Sequence, residues 1–315
     1  MKKAKTILIT GGAGFIGSNL VRGLLSEGYS VNVVDICDIE GSKIEDLKQS
    51  IRFFKLDLLQ ARELEQLMRT LNPDAIIHLA ASINLTREAG LVEGMMQSNF
   101  QTTLNLYLAA MRLKGLRCVI SLGSAEEYGQ NHVPFAEYQR EMPVSPYSLS
   151  KVCITYLSSY FHRIHNLPTI ILRPFSVYGE YQTNKQFVPF VISKCLRNEP
   201  VELTAGEQTR DFVYVGDLVE AMLMAIENPE DALGEVINIC TGREISIREA
   251  ALVIKRVTGS TSELRFGALP YRSGESMHFF GANKKARLLI GWSPRHTFEQ
   301  GIKKTVEWYK RAGFS

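Results

Sequence analysis

The segment Thr10-Gly-Gly-Ala-Gly-Phe-Ile-Gly17 decides the fold of this chain, because of what lies on either side of it. A short apolar run, Thr6–Thr10, precedes it, and an amphipathic stretch, Phe15–Glu27, follows it. Glycine at positions 11, 14 and 17 suits a tight turn between a buried strand and a helix that pack closely together. The segment therefore predicts a strand, a turn and a helix at the start of the chain.

The glycines also indicate what the turn binds. Because they lack side chains, Gly11, Gly14 and Gly17 allow a pyrophosphate to approach the backbone closely, and the helix N-terminus offers free N–H groups and a positive dipole end. We expect Phe15 and Ile16, the first residues of the helix, to lie at the same site. The motif predicts a dinucleotide cofactor.

Two carboxylates at predicted strand ends indicate which dinucleotide it is. Asp35 closes the run Ser30–Asp35, where a carboxylate accepts hydrogen bonds from the adenosine ribose hydroxyls and repels a 2′-phosphate. We therefore predict NAD rather than NADP. Asp57, followed by Leu58, ends the third strand and is expected to reach the adenine; the alternative is a generic loop acid.

Short apolar runs alternate with amphipathic stretches along the first 175 residues, as in a parallel sheet with helices on both faces. We predict an α/β fold, a Rossmann-type doubly wound parallel sheet with a smaller C-terminal substrate-binding lobe. The predicted strands are Thr6–Thr10, Ser30–Asp35, Ile51–Leu56, Ala75–Ala80, Cys118–Leu122 and Thr169–Arg173. The predicted helices are Phe15–Glu27, Ala61–Leu71, Gln97–Leu113 and Ser148–His165.

The alternation loosens after this point, which indicates a second unit. We assign residues 1–175 to the NAD-binding domain and 176–315 mainly to the substrate-binding lobe, with the chain crossing back to the sheet at Val236–Ile239. Helices are predicted there at Phe187–Arg197, Asp217–Glu227, Ile247–Val257 and Phe298–Tyr309.

Bulk composition excludes several classes of protein. The net charge of +3 over 315 residues, with no run of like charges, argues against nucleic acid or an anionic membrane as partner. No stretch approaches the roughly 18 apolar residues that span a bilayer. Five scattered cysteines without a CxxC pair argue against a disulfide framework or a metal site, and favour reduced thiols in the cytoplasm.

The segment Tyr147-Ser-Leu-Ser-Lys151 places a phenol and an ammonium on one face of a predicted helix, because residues four apart are neighbours there. A tyrosine normally titrates near pH ~10. A neighbouring ammonium and an oxidised nicotinamide would favour the phenolate, so we expect Tyr147 to act as a base nearer neutrality.

Taken together, these motifs resemble a known family. The glycine motif, Asp35, His78-Leu-Ala-Ala81, Ser124, Tyr147–Lys151 and Arg173-Pro-Phe-Ser-Val-Tyr-Gly179 occur in the order found in extended short-chain dehydrogenases/reductases. The resemblance is to their NAD-dependent nucleotide-sugar epimerase/dehydratase family, and it covers the chain from Ile7 to about Trp308. It implies a nucleotide-diphosphate sugar as substrate.

The resemblance also implies catalytic roles. Tyr147 would exchange a proton with a sugar hydroxyl, usually at C4, while Lys151 would lower the pKa of Tyr147 and hold the nicotinamide ribose. Ser124, at the end of the fifth strand, would hydrogen-bond the reacting oxygen. A serine at such a position is otherwise a turn or helix cap.

Other positions match the family's cofactor contacts. Ala80, Ala81 and Ser82 would line the dinucleotide cleft, although His78–Ala81 also reads as plain buried strand. Asn99 lies inside an apolar helix, where asparagine is a poor choice. In the family such a residue lies on the cofactor side of the site; a satisfied core asparagine is the alternative.

Substrate contacts are expected from the second lobe. By resemblance, Arg210 and Arg272 would bind the diphosphate, for which a bidentate guanidinium is well suited; each would otherwise be a surface ion-pair residue. Asp211 is expected to hold structure. Ser176 stands where the family usually has asparagine, near the expected sugar pocket, so the identity of the sugar is left open.

Glu126 bears on which reaction follows C4 oxidation. The family's dehydratases and sugar-acid decarboxylases carry glutamate at this position, whereas many epimerases carry a small or β-branched residue. A loop carboxylate without a catalytic role is the alternative. Ala125 stands where one large dehydratase subgroup has an aspartate that donates a proton for water loss. Epimerisation and 4,6-dehydration both stay open.

Two further alternatives follow from the same residues. The run Gly123–Gly129 also resembles the NAD(P)H-dependent 4-keto-6-deoxy nucleotide-sugar reductases. A dinucleotide-binding protein without catalysis is a remote possibility, since Ser124, Tyr147 and Lys151 are all present. The family usually forms homodimers through the helices matching Gln97–Leu113 and Ser148–His165.

Overall fold

The computed structural model describes residues 6–183, 186–272 and 274–313. The strands, in chain order, are β1 (Thr6–Thr10), β2 (Ser30–Asp35), β3 (Arg52–Lys55), β4 (Ala75–His78), β5 (Cys118–Leu122), β6 (Thr169–Pro174), β7 (Ser176–Tyr178), β8 (Val201–Leu203), β9 (Thr209–Arg210), β10 (Phe212–Tyr214), β11 (Val236–Ile239), β12 (Ile245–Ser246) and β13 (Leu264–Phe266). The helices are α1 (Phe15–Ser26), α2 (Ala61–Leu71), α3 (Val92–Met95), α4 (Thr102–Ala110), α5 (Pro146–His165), α6 (Phe187–Leu196), α7 (Val215–Glu227), α8 (Ile247–Thr258), α9 (Lys284–Ile290) and α10 (Phe298–Arg311).

Seven of these strands form one parallel sheet in the order β11-β6-β5-β4-β1-β2-β3. Its central strands are buried on both faces and are almost continuously apolar, as parallel strands between two helix layers have to be. The predicted Rossmann-type fold is confirmed, and so is the return of the chain to the sheet at Val236–Ile239.

The strand order places a binding crevice at one edge of the sheet. From β1 the order runs through β2 to β3 on one side, while β4, β5 and β6 lie on the other. Where the order reverses, between β1 and β4, the connections leave in opposite directions and open a crevice at the carboxyl ends of the strands. The glycine motif follows β1, and His78–Ala81 lies at the end of β4.

The predicted helix Gln97–Leu113 differs from the structure. Helical backbone begins earlier, at Val92, and ends at Ala110, and a π-helical turn, Met96–Gln101, joins α3 to α4. Such a turn inserts an extra residue and is frequent at functional sites. Asn99, the polar residue that conflicts with an apolar helix, lies within it.

The second part of the chain divides between the lobe and the sheet. A separate core unites α6, α8 and α10 around Val191, Ile254 and Ile302. By contrast, α7 packs against α1, and α9 packs against β11, so more of residues 176–315 returns to the sheet layer than the crossing at Val236–Ile239 alone. Among the described residues, no helix has the length and apolarity needed to cross a bilayer.

Candidate functional site

The turn after β1 has no room for side chains at two of its glycines. Gly11 has a φ of +71°, and a Cβ there would stand 2.6 Å from the amide nitrogen of Ala80. A Cβ on Gly17 would stand 2.2 Å from the carbonyl oxygen of Gly11. These contacts hold the turn against β4 and let α1 begin directly behind it.

Gly14, by contrast, faces outward. Gly14 is exposed and is the N-cap of α1, and the first turn of that helix carries no acidic side chain. Phe15 and Ile16 follow as the first helical residues and are half-buried. An exposed glycine in front of unscreened N–H groups fits the pyrophosphate of a dinucleotide.

Asp35 stands at the edge of the same turn. Its Oδ2 accepts a hydrogen bond from the amide of Ala13 at 3.0 Å, and its Oδ1 accepts one from the amide of Ile36 at 2.8 Å. Asp38, the next acidic residue along the chain, forms an ion pair with Lys55 at 2.8 Å. A carboxylate in this position suits an unphosphorylated ribose.

Asp57 and Leu58 lie at the end of the third strand, where they shape the loop. The Oδ1 of Asp57 accepts a hydrogen bond from the amide of Leu59 at 2.9 Å. Leu58 is buried, and its carbonyl accepts a hydrogen bond from the side chain of Asn105 at 2.9 Å.

Asn99 holds the segment that follows β4. Ala80 and Ala81 are half-buried and Ser82 is exposed, whereas Asn99 is fully buried. Its Oδ1 accepts from the Ser82 amide at 2.7 Å, and its Nδ2 donates to the Ser82 carbonyl and to Ser150 Oγ, both at 3.0 Å. Asn99 thus shapes the cleft by fixing Ser82.

Ser124, Tyr147 and Lys151 meet at the carboxyl end of β5. Ser124 is the N-cap of a 3₁₀ turn, and its Oγ accepts a hydrogen bond from the Glu126 amide at 3.2 Å. Tyr147 and Lys151 project from the first turns of α5, a helix that starts sharply because Ser145 caps it and Pro146 occupies its first position. All three predicted side chains are buried here.

Burial dominates the electrostatics of this group. Lys151 Nζ donates to the Leu122 carbonyl at 2.7 Å and lies 5.8 Å from the centre of the Tyr147 ring. Burial lowers the pKa of Lys151 to about 8, against the opposing effect of the Glu127 carboxylate.

The expected lowering of the pKa of Tyr147 by Lys151 is not found. Burial raises this pKa first of all, a hydrogen bond with Ser124 lowers it, and the carboxylates of Glu127 and Glu126 raise it further. Desolvation disfavours the phenolate more than the protein's own charges favour it. The expectation rested on two positive charges, that of Lys151 and that of an oxidised nicotinamide. Only the nicotinamide is left to favour the phenolate of Tyr147.

Glu126 and its neighbour Glu127 have opposite environments. Glu126 is half-buried; burial raises its pKa, the charges of Arg210 and Arg87 lower it, and that of Glu275 raises it. It therefore faces the second lobe. Glu127 is fully buried and bonds to protein groups alone.

The second lobe brings Arg210 to this face of the crevice. Its guanidinium donates to the carbonyls of Thr209 and Ser276 at 2.7 and 2.9 Å and pairs with the carboxylate of Glu275. Arg272, by contrast, is exposed. A guanidinium held by backbone carbonyls is preorganised to receive phosphate oxygens.

Ser176 and Asp211 lie side by side behind Arg210. Ser176 is half-buried in β7, and its amide donates to the Asp211 carbonyl at 3.0 Å. Asp211 is buried, and its carboxylate accepts from the amides of Thr241 and Gly242 at 2.8 and 2.9 Å. This agrees with the structural role expected for Asp211.

Residues 7–240 match the NAD-dependent epimerase/dehydratase family. The chain belongs to this family. A UDP-glucose 4-epimerase from Thermotoga maritima, solved with UDP-glucose, is 30% identical, with a TM-score of 0.90 and coverage of 98% of this chain and 99% of that one. A UDP-glucuronic acid 4-epimerase from Bacillus cereus, solved with UDP-glucuronic acid and NAD, is 28% identical, with a TM-score of 0.88 and coverage of 98% and 99%.

A dTDP-glucose 4,6-dehydratase from Haemophilus influenzae is 28% identical and covers 96% of this chain and 97% of its own. Both reaction types are therefore found among relatives that match over nearly their full lengths. The cofactor of this family member is NAD, in agreement with the prediction from Asp35. The described residues contain no cluster of three or more His, Cys, Asp or Glu that would hold a metal ion.

Three residues at the site escaped the sequence analysis. Glu275 binds Arg210, and Arg87 donates to the Gly274 carbonyl at 2.7 Å; both contacts join segments more than 60 residues apart. Glu127 was indistinguishable from Glu126, since both follow Ser124 in one short run. Only its burial and its partners separate the two.

Proposed function

We propose that this family member oxidises C4 of a nucleotide-diphosphate sugar transiently with bound NAD, and then epimerises the sugar or removes water across C5 and C6. The observation that carries the proposal is the meeting of Ser124, Tyr147 and Lys151 at the carboxyl end of β5, the strand next to β4, against whose end the glycine turn packs. Relatives with these activities support it.

NAD supplies the hydride acceptor when it is bound. Tyr147 accepts the proton of the C4 hydroxyl while Ser124 hydrogen-bonds the same oxygen. In an epimerisation the proton returns when the ketone is reduced, whereas a dehydration leaves the C4 ketone in the product. Lys151, fixed by the Leu122 carbonyl, holds the nicotinamide ribose. The buried setting excludes water and strengthens each of these interactions.

The cofactor contacts follow from the same arrangement. Gly11, Gly14 and Gly17, with Phe15 and Ile16, receive the pyrophosphate at the start of α1, while Asp35 binds the adenosine ribose. Asp57 and Leu58 border the adenine, and Ala80, Ala81 and Ser82 line the cleft. Asn99 contributes by holding Ser82 in place.

Arg210 is proposed to bind the substrate diphosphate, with Arg272 as a second contact and Ser176 near the sugar. Because Arg210 is paired with Glu275, the diphosphate either shares the guanidinium or displaces that carboxylate. In both cases the diphosphate meets a guanidinium that two carbonyls already orient.

Glu126 is proposed as the second acid/base group. Its raised pKa favours the protonated form more than in an ordinary surface glutamate, so it is able to exchange a proton after C4 has been oxidised. Ala125 beside it has no proton to donate. A dehydration at this site therefore depends on Glu126 for proton transfers that the commonest dehydratase pattern divides between two carboxyl groups.

A homodimer is proposed on the basis of an apolar surface on adjacent helices. Leu108 of α4 and Tyr156, Tyr160 and Ile164 of α5 are all at least half exposed, and α5 contacts α4 and the π-helical turn. Covering such a patch with a second copy removes apolar area from water.

The five cysteines are free, which supports a cytoplasmic location.

Tyr147→Phe is expected to lower kcat by about 10²- to 10⁴-fold, the range of a lost general acid/base. The assay is turnover of a panel of nucleotide sugars, with products identified by NMR. Tyr138→Phe is the control, since Tyr138 is 86% exposed. Retention of kcat within tenfold in Tyr147→Phe would refute the acid/base role. Net loss of absorbance at 340 nm when the parent protein is given a 4-keto sugar and NAD(P)H would favour the reductase instead.

Arg210→Lys is expected to raise KM about ten- to a hundredfold, because an ammonium keeps the charge but loses the bidentate hydrogen bonds to phosphate. Arg265→Lys is the matched control, as Arg265 forms an exposed ion pair with Glu263 at 2.9 Å. Steady-state kinetics on the best substrate of the panel measure the change. An unchanged KM for Arg210→Lys would remove Arg210 from the diphosphate site.

Ile164→Glu is expected to convert a dimer to a monomer, because it places a charge in the apolar patch of α5. Leu288→Glu in α9 is the control, since Leu288 is 68% exposed and lies outside that patch. Light scattering coupled to gel filtration gives the masses. A single-chain mass for the parent protein, or a two-chain mass for Ile164→Glu, would contradict the proposed interface.

A further inference from the structure

Glu127 has a fully buried carboxylate that connects three segments of the active site. Its Oε1 accepts a hydrogen bond from the amide of Ser124 at 2.7 Å. Its Oε2 accepts from Thr155 Oγ1 and from Arg173 Nη2, both at 2.7 Å. The Glu127 carboxylate therefore bonds to the turn at Ser124, to helix α5 and to strand β6.

The chain makes room for this carboxylate. A Cβ on Gly123 would stand 2.6 Å from Glu127 Oε1, so a larger residue in front of Ser124 would displace this carboxylate. Arg173 is itself fully buried over the ring of Tyr128 and also donates to Glu141 at 2.5 Å. Burial alone would lower the pKa of Arg173, but the charge of Glu127 together with Tyr128 and Glu141 outweighs burial and raises the pKa.

Stability does not account for such an arrangement. A buried ion pair costs desolvation that its Coulomb attraction barely offsets, and apolar residues of similar size often stabilise a fold more. The position of the pair is therefore informative. Tyr147, Lys151 and Thr155 are spaced four apart on α5 and share one face, and Glu127 binds that face at Thr155.

Glu127 also acts on the two catalytic groups through its charge. It raises the pKa of Lys151 against the effect of burial, and it adds to the rise in the pKa of Tyr147. The other ionisable groups that surround Lys151 and Glu127 are those of His78, Arg173 and Glu141. Burial lowers the pKa of His78 to about 3, so this imidazole is neutral and does not compete with Lys151 for a counter-ion.

We propose that Glu127 is a positioning residue for the C4 oxidation: it locks Ser124 in register with the face of α5 that carries Tyr147 and Lys151, and it holds Lys151 as a cation. Glu127 does not touch the reacting atoms and acts through these three residues. The inference rests on the proposed function, because it assigns Glu127 a task only if Ser124, Tyr147 and Lys151 perform the chemistry.

Glu127→Gln tests the charge, with Glu141→Gln as its matched control. Both variants remove one carboxylate from Arg173, but Glu141 does not contact Ser124 or Thr155. In the NAD-bound protein the charge of the nicotinamide favours the Tyr147 phenolate, so we expect kcat to increase as Tyr147 loses its proton and to decrease as Lys151 loses its own. Without the anion the phenolate forms more easily and the ammonium less easily, so both limbs of the kcat profile move to lower pH in Glu127→Gln.

We expect Glu141→Gln to keep both limbs where the parent protein has them. A Glu127→Gln profile that coincides with that of Glu141→Gln overturns the inference. A merely structural role would lower stability or the height of the profile without moving its limbs.

Thr155→Val tests the geometric part of the proposal, namely the link between Glu127 and α5, even if Glu127→Gln fails to fold. It removes the hydroxyl that joins Glu127 to α5 and leaves every charge in place. We expect kcat to fall about tenfold or more with little change in KM, since small displacements of catalytic groups are costly. Thr155→Ser should restore the parent kcat.

Thr305→Val, which removes another buried helical hydroxyl in α10, controls for the loss of such a group and should leave kcat unchanged. Parent-like kcat in Thr155→Val overturns the inference. Tyr147→Phe distinguishes failure of the proposed function from failure of the role of Glu127. If Tyr147→Phe retains activity, the proposed function fails. If Tyr147→Phe is inactive and Thr155→Val has the parent kcat, only the role of Glu127 fails.

Discussion

The turn after β1 lies so close to the backbone at the end of β4 that a Cβ on Gly11 would reach within 2.6 Å of the Ala80 amide nitrogen. This approach brings the start of α1 and the segment Ala80–Ser82 to the two sides of one crevice. Because β4 pairs with β5, the same crevice receives Ser124 at its next strand. Sheet pairing thereby places the proposed cofactor-binding turn and the proposed catalytic groups along one crevice.

Much of this arrangement was predictable from local sequence. The glycine segment and the apolar runs predicted β1, β2 and β5 with the ends that the structure shows, and four-residue spacing predicted that Tyr147 and Lys151 share a helix face. Local signals suffice there because a strand, a turn and a helix face are set by neighbouring residues.

Long-range contacts were beyond the reach of that reasoning. Glu127 joins Arg173 across 46 positions, and Arg210 meets Glu275 across 65. The part of the Tyr147 prediction that rested on Lys151 was wrong for the same reason: spacing shows that an ammonium is near the phenol, but not that both are desolvated. Burial is a property of the whole fold, and it reverses the effect expected from a single neighbouring charge.

Two successive glutamates show how one short run serves two purposes. Glu126 faces the guanidinium groups of the crevice, where a proton-transfer group is useful, while Glu127 turns inward and joins the serine turn to the helix of Tyr147 and Lys151. Under the proposed function, the inward glutamate organises the site and the outward one stays available to the substrate. This division depends on Gly123, which leaves space for the buried carboxylate.

The most direct test of the central claim follows the hydrogen at C4. The best nucleotide sugar of a substrate panel is prepared with deuterium at C4 and converted in the presence of excess unlabelled NAD and NADH, and product and cofactors are analysed by mass spectrometry. Transient oxidation by bound NAD predicts that the product keeps the deuterium, at C4 after epimerisation or at C6 after dehydration. Deuterium in the free NADH pool, or its loss to solvent, would contradict the account.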